Sequence, residues 1–500
     1  MSTLTSYARA LAAETGQAKR LGTVRHLHVH DRPLVIVPLT LAGETNAPVA
    51  AMAGSQHDKP TVIVAGQPRM RSKRLDFAAE LAEVVLPFIT ECAQRIEYVP
   101  TGRDGSEMRT RMADAPQLWV PNPGGISYLR MLGRMTRLRK TVGEYAVPLP
   151  VPEMGKWLTW FAEQSEFADT SLLQATTRAL SGVWATGQSS VEDGNLAALM
   201  AWIAPPPGQS GAQAARRAED PVTCPPAGPS TDPTFDAVVL KPALDAIDKA
   251  TSDAARARLL QRLADDLTGQ LQPTWDLVWQ AIEALRAIPA GNHVPHRWER
   301  DRDNFGGYYQ HLASDGRPQA RRDNAERSAR RLNDLERRLA LYDAQRAFDD
   351  PMVMAEYRMG GDAFCGNVIH AEPDRTVKPG NRRQLRPLIV VQTTDPLRLL
   401  PGDADLTDQQ RPKQTATILD VQHSGTATHV TLELSGSMGR GLTATPGSVP
   451  ERGGTVTYSR LRTGYSAPGA FPDRDSIPWT HGGPPAQHIA TEDDAREEWS

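Results

Sequence analysis

Two stretches of this chain combine residue types and spacing that could do chemistry. The first is His26-Leu27-His28-Val29-His30-Asp31. On a β-strand alternate side chains share a face, so the three imidazoles would line up with a carboxylate beside them. Neutral imidazoles and a carboxylate suit Zn²⁺ or Fe²⁺, as in metal-dependent hydrolases and nucleases. A hairpin edge with its histidines in water is the competing reading. The second stretch, Arg317 to Asp350, carries Arg321, Arg322, Arg330, Arg331, Arg337 and Arg338. Guanidinium groups at this density suit phosphate oxygens. Just before it, Tyr308 and Tyr309 lie among basic residues in HRWERDRDNFGGYYQHL, where aromatic rings could stack on bases.

The elements that must position these residues follow from hydrophobic period. Ala325, Ala329, Leu332, Leu335, Leu339 and Tyr342 recur at spacings of three and four, which predicts one long helix with an apolar stripe. Pro318 suits its first turn and Asp349-Asp350-Pro351 its end. Asp323, Glu326, Asp334 and Glu336 interleave with the arginines, so i,i+4 pairing on a solvated face is the bland alternative. Thr23 to Thr40 reads as two strands around a turn at Asp31-Arg32-Pro33, and Thr61–Val64 as a buried strand. Arg74 to Ile89 reads as a packed helix. Gln67 to Arg74 (QPRMRSKR) is a basic loop leading into that helix. Pro121 to Gly125 precedes a second basic helix, with Arg130, Arg134, Arg137, Arg139 and Lys140; both could meet anions.

The fold class expected is α+β and multidomain: an N-terminal α/β domain, a central helical region and a small C-terminal β-barrel. The divisions fall at 1–151 (α/β), 152–203 (helical), 204–233 (Pro/Gly-rich linker or loop), 234–350 (helical, ending in the Arg-rich helix), 351–465 (barrel-like) and 466–500 (flexible tail). A chain of 500 residues exceeds one core, and 40% apolar composition supports folded domains. The net charge of −3 gives no global field toward nucleic acid, so any binding must come from local basic surface. Three distant cysteines, Cys92, Cys224 and Cys365, suggest neither a disulfide framework nor a cysteine zinc site, and point to the cytoplasm. No apolar run approaches the roughly 18 residues a membrane span needs, so no membrane partner is expected.

No Gly-x-Ser-x-Gly elbow and no Ser-x-x-Lys is present, and Glu44 has no lysine at Glu-x-Lys spacing, which argues against a restriction-type nuclease. No catalytic residue is assigned, and no cofactor is expected unless the histidine cluster holds Zn or Fe.

The order of long helix (Arg317 to Asp350), strands (Thr415 to Thr457) and Tyr458-Ser459-Arg460-Leu461 resembles the stalk and accessory β-barrel of superfamily 1 helicases. The resemblance implies a stalk and barrel that touch single-stranded nucleic acid. The family's Gly-x-x-x-x-Gly-Lys-Ser/Thr loop is absent from all 500 residues, so the implied role is an accessory binding protein beside a separate helicase or ATPase. The whole chain also resembles uncharacterised bacterial proteins, which implies no activity. A protein-interaction scaffold is the third reading.

Overall fold

A computed structural model describes residues 3–101, 106–221, 224–464, 489, 491 and 492. It is an α+β protein with an N-terminal α/β region, a helical middle and a closed C-terminal barrel. The expected tail from 466 lies outside the described residues, apart from 489, 491 and 492. The chain divides into two compact units. The first holds Thr5–Leu21 and Arg25–Leu335; the second holds Gly22–Val24 and the chain from Glu336 through the barrel.

The first unit is built on a five-stranded mixed sheet. β1 (Leu34–Leu41), β2 (Glu44–Gly54) and β3 (Thr61–Val64) form an antiparallel meander. Helix α1 (Arg71–Ala93) then returns the chain to β4 (Leu118–Val120), parallel to β1. Helices α2 (Pro123–Thr136) and α3 (Pro150–Gln164) lead to β5 (Leu173–Ala175), parallel to β4. The spatial order is β3-β2-β1-β4-β5.

β1 is a continuous apolar run because both of its faces are covered. Leu34 and Ile36 join a core with Phe77, Leu81 and Val85 of α1. Val35, Val37 and Leu39 join the opposite core, with Leu267, Trp275 and Ile282 of α4 (Asp253–Arg286). Leu81 is fully buried, so Leu81→Ala would cost roughly 2–5 kcal/mol.

Open α/β sheets commonly take ligands at the carboxyl ends of their strands, where the strand order reverses. Here that place lies between β1 and β4, and the chain fills it itself. Thr231 N donates to Thr40 O at 3.0 Å, and Asn122 Nδ2 donates to Gly228 O at 2.7 Å. Gly228 has φ of 77°, and a Cβ there would lie 2.8 Å from Pro38 O, so this contact requires glycine. These residues belong to the stretch read as a linker, 204–233. That stretch also contains a helix, Gly211–Ala218, closed by a capping box between Ser210 and Gln213.

The residues read as a strand at Thr23 to His30 form none. Their backbone groups are satisfied by side chains instead of a ladder. His30 N donates to Gln117 Oε1 (2.9 Å), His28 N to Ser171 Oγ (2.9 Å), and Gln117 Nε2 to His28 O (2.8 Å). Arg297 donates to His26 O (3.0 Å), and Arg286 to the carbonyls of His30 (2.6 Å) and Asp31 (2.8 Å).

α5 (Val294–Ala313) packs beneath α3, and α6 (Ala325–Asp349) is the Arg-rich helix. It starts later than Pro318 suggests, because Asn324 Oδ1 accepts Arg327 N at 2.8 Å and makes the cap. Its end falls at Asp349, as read. Asp350 caps α7 (Pro351–Gly360) by accepting Met352 N, and it also accepts Thr23 N and Thr23 Oγ1.

In the second unit six antiparallel strands close into a barrel: β6 (Ala363–Glu372), β7 (Leu388–Thr393), β8 (Leu406–Asp408), β9 (Arg411–Ser424), β10 (Ala427–Ser435) and β11 (Thr455–Ser459). Their order is β6-β7-β10-β9-β8-β11, with β11 pairing back onto β6. Thr428, Val430, Leu432 and Leu434 alternate inward along β10. Gly425, at φ of 61°, turns β9 into β10. Among the described residues no helix is long and apolar enough to cross a membrane.

Candidate anion-binding cleft

α2 begins at a defined point: Asn122 Oδ1 accepts Gly125 N, and Pro123 supplies a first-turn residue with no N–H to satisfy. The helix then lies close against α3. A Cβ at Gly133 would sit 2.7 Å from Thr159 N, and one at Gly155 would sit 2.5 Å from Arg137 N. This approach fixes the C-terminal half of α2, which carries Arg130 and Arg134 and runs on into Arg137 and Arg139.

Arg137 is only 3% exposed. Its guanidinium donates to three carbonyls: Gln319 O (3.1 Å), Ala320 O (3.2 Å) and Arg134 O (2.9 Å). Burial, with Arg134 adding to it, lowers its pKa, and a guanidinium remains charged regardless. Arg137 therefore ties residues 319–320 to the end of α2. Gln319 is held from its other side, its Nε2 donating to Tyr308 Oη at 2.8 Å. The next residues in the chain are Arg321 and Arg322.

The result is a cleft of about 570 Å³ lined by Arg130, Arg134, Arg137, Arg139, Arg321 and Arg322, with Met131, Met135 and Leu138 as its apolar floor. Among the described residues no acidic side chain lines it. Arg134 and Arg322 are exposed, and neither makes an ion pair among the described residues. A second cavity, about 360 Å³, lies alongside and shares Arg130, Arg134 and Arg321. Its wall adds Arg327 and Arg331 but also Glu163, Glu166 and Asp323. Glu166 accepts from Arg130 (2.9 Å) and Arg331 (2.6 Å). Burial pushes the Glu163 carboxyl above the usual carboxylate range, against the pull of Arg331.

The residues singled out from sequence separate into groups. Arg321 and Arg322 enter the cleft from the loop before α6. Arg330 pairs with Glu326 one turn away at 2.9 Å, and Arg331 with Glu166. Arg337 and Arg338 are half-buried on the stretch of α6 that belongs to the barrel unit. Tyr308 lies parallel to Trp160, centroids 5.1 Å apart, and donates to Lys156 O; burial raises its pKa. Tyr309 packs on Phe305 and Trp157. Both tyrosines thus act as packing groups behind the cleft.

The rings of His28 and His30 meet edge to face with centroids 6.1 Å apart, but each histidine is engaged elsewhere. His28 stacks on Trp298 with centroids 4.1 Å apart, and burial depresses its pKa to about 3. His30 Nδ1 accepts Arg32 N, which leaves Nε2 to donate to Asp114 Oδ1 at 2.9 Å. His26 is buried and Asp31 exposed. Among the described residues no group of three or more His, Cys, Asp or Glu side chains could hold a metal ion. The basic stretch 67–74, read as a loop, is helical from Arg71 onward as the first turn of α1, and it has largely spent its charge: Arg69 pairs with Glu44, Lys73 with Asp76, and Arg71 lies over the Tyr145 ring. The Tyr458-x-Arg460-Leu461 segment is barrel wall, with Tyr458 fully buried against Phe364 and Arg460 paired with Asp403 near 2.5 Å.

Sequence reasoning flagged the arginines of α2 as a possible anion surface without linking them to Arg321 and Arg322. That link runs through Arg137, which no periodicity distinguishes from its neighbours. Comparison with protein families, curated proteins and solved structures finds no match to this chain.

Proposed function

We propose that this chain is a non-catalytic binding protein for a phosphate-rich polyanion, single-stranded nucleic acid, which it takes up at the α2 cleft. The observation that supports this reading is a cavity lined by six arginines, two of them (Arg134 and Arg322) exposed and without an ion pair, with no carboxylate in its wall among the described residues. Arginine forks match phosphate oxygens bidentately, and burying the ligand among them strengthens each contact. Among the described residues no aromatic ring lines the cleft. Affinity would therefore come from the backbone, with little sequence preference and a steep dependence on salt. With no ATP-binding loop of its own, the chain would act beside a helicase or ATPase on another chain. The metal-dependent hydrolase reading has no converging ligand set among the described residues to support it.

The test is fluorescence anisotropy with single- and double-stranded oligonucleotides at low and high salt, with inorganic tripolyphosphate as competitor. Binding at low salt, weakened by salt and displaced by tripolyphosphate, is the expected result. Absence of binding at low salt would end the proposal.

A further inference from the structure

A cavity of about 520 Å³ in the first unit shares no lining residue with the arginine cleft. It lies at the carboxyl ends of β1 and β3, which run the same way because both are antiparallel to β2. Leu41 and Ala42 line it from the end of β1, and Gln67 and Arg69 from the chain just after β3. Its remaining wall comes from the helical turn Asp236–Leu240 and the helix Lys241–Asp248 that continues it. Open sheets take ligands outside the carboxyl ends of their strands, and a cavity of this size suits a small molecule.

The helical wall is placed by its apolar side chains. Leu240, Leu244 and Ile247 recur at helical spacing, are buried, and join the core that holds Leu41, Leu263 and Leu267. The residues one position further on, Lys241, Asp245 and Asp248, are exposed. Asp248 accepts from Gln67 at 2.6 Å. Lys241 and Asp245 stand one turn apart, a spacing at which opposite charges commonly pair, yet neither makes an ion pair among the described residues. Asp236 opens a π turn, in which Lys241 N donates to Asp236 O five residues back; such turns recur at functional sites. Asp236 Oδ2 accepts Ala42 N at 2.9 Å, whereas Oδ1 is buried and meets no donor among the described residues. A buried carboxylate oxygen without a donor is costly, and a ligand that supplies one removes that cost.

We propose that this cavity binds a free α-amino acid with a branched apolar side chain. The ligand's ammonium group donates to Asp236 Oδ1 and to the Asp245 carboxylate, and its carboxylate meets Lys241. Its side chain lies against Leu41, Leu240 and Leu244, the apolar part of the wall. Arg69 is already paired with Glu44 at 2.6 Å, so Lys241 is the cation left to the ligand. A ligand of one sign alone would leave either Lys241 or the two carboxylates without a counter-charge, whereas a zwitterion satisfies both. This inference does not depend on the polyanion reading.

The experiment is isothermal titration of the full chain with L-leucine, with L-leucinamide, which lacks the carboxylate, and with N-acetyl-L-leucine, which lacks the ammonium group. Leucine should bind, and each analogue should bind about tenfold more weakly or worse, the worth of one charged hydrogen bond. Lys241→Met should remove the preference for leucine over leucinamide, and Asp245→Asn should narrow the preference over N-acetyl-leucine. Both positions are exposed, so these variants should melt as the wild type does, which separates a lost ligand contact from a lost fold. Asp236→Asn keeps an acceptor for Ala42 N and removes the negative charge, and should weaken leucine by about tenfold. No heat from leucine at millimolar concentration, leucinamide binding the wild type as tightly as leucine, or leucine affinity unchanged in both Lys241→Met and Asp245→Asn would each overturn the inference.

Discussion

The arginines of the α2 cleft and those of α6 are the same side chain in two opposite settings. Along α6 they alternate with acids at helical spacing, so a neighbour one turn away can neutralise them, as Glu326 does Arg330. In the cleft they arrive from two places far apart in the chain; Arg137 and Gln319, which join them, are 182 residues apart. Local periodicity balances charge, whereas a tertiary tie concentrates it. A run of arginine in a sequence is therefore weaker evidence for a binding surface than a few arginines held together by buried hydrogen bonds.

The largest expected effect comes from cutting that tie. Arg137→Met leaves three carbonyls without their donor, and should cost on the order of 3 kcal/mol in denaturant unfolding and abolish polyanion binding together. Loss of stability with binding intact would show that the 319–322 segment is not positioned by Arg137. Next come the exposed cleft arginines. Arg134→Ala and Arg322→Ala should each weaken oligonucleotide binding by about tenfold, the worth of one charged hydrogen bond, and leave unfolding within about 0.5 kcal/mol.

A smaller effect tests the carboxylates of the adjoining cavity. Burial raises the Glu163 pKa, so this group takes up a proton sooner than an ordinary carboxyl as pH falls, and each proton gained removes a negative charge beside Arg134 and Arg137. Binding should tighten as pH falls through that raised pKa, and Glu163→Gln should bind more tightly at neutral pH with a flatter profile. Binding that is indifferent to both changes would detach the second cavity from the first. The smallest effect belongs to α6: Arg330→Ala should change oligonucleotide binding by no more than about twofold, because an exposed i,i+4 pair holds this arginine. A loss as large as that of Arg134→Ala would erase the distinction between helix and cleft.

Much of the architecture was legible from the sequence. An unbroken apolar run marked the doubly covered strand β1, strict alternation and Ser424-Gly425 marked the barrel hairpin, and spacings of three and four marked α1, α4 and α6; Thr61–Val64, read as buried, is instead the edge strand β3, in which only Ile63 is buried. Three other features were not legible. The histidine segment alternates like a strand, but its backbone is claimed by Gln117, Ser171, Arg286 and Arg297, all distant in sequence. The Pro/Gly-rich stretch looked like a linker because its helix, Gly211–Ala218, is only 8 residues long and its later part is held by single contacts with Thr40 and Asn122, which leave no period. The cleft was half visible: its arginines stood out, but the buried guanidinium that unites them is chemically identical to those facing solvent.

One measurement tests the central claim most directly: the salt dependence of single-stranded oligonucleotide affinity in the wild-type chain, in Arg134→Ala with Arg322→Ala, and in Arg330→Ala with Arg338→Ala. Each phosphate contact contributes about 0.7 to the slope of log affinity against log salt for a single strand. The account predicts that the cleft variant loses roughly 1.4 from that slope and about a hundredfold in affinity, while the α6 variant keeps both. A cleft variant that matches wild type, or an α6 variant that takes the loss instead, would contradict it.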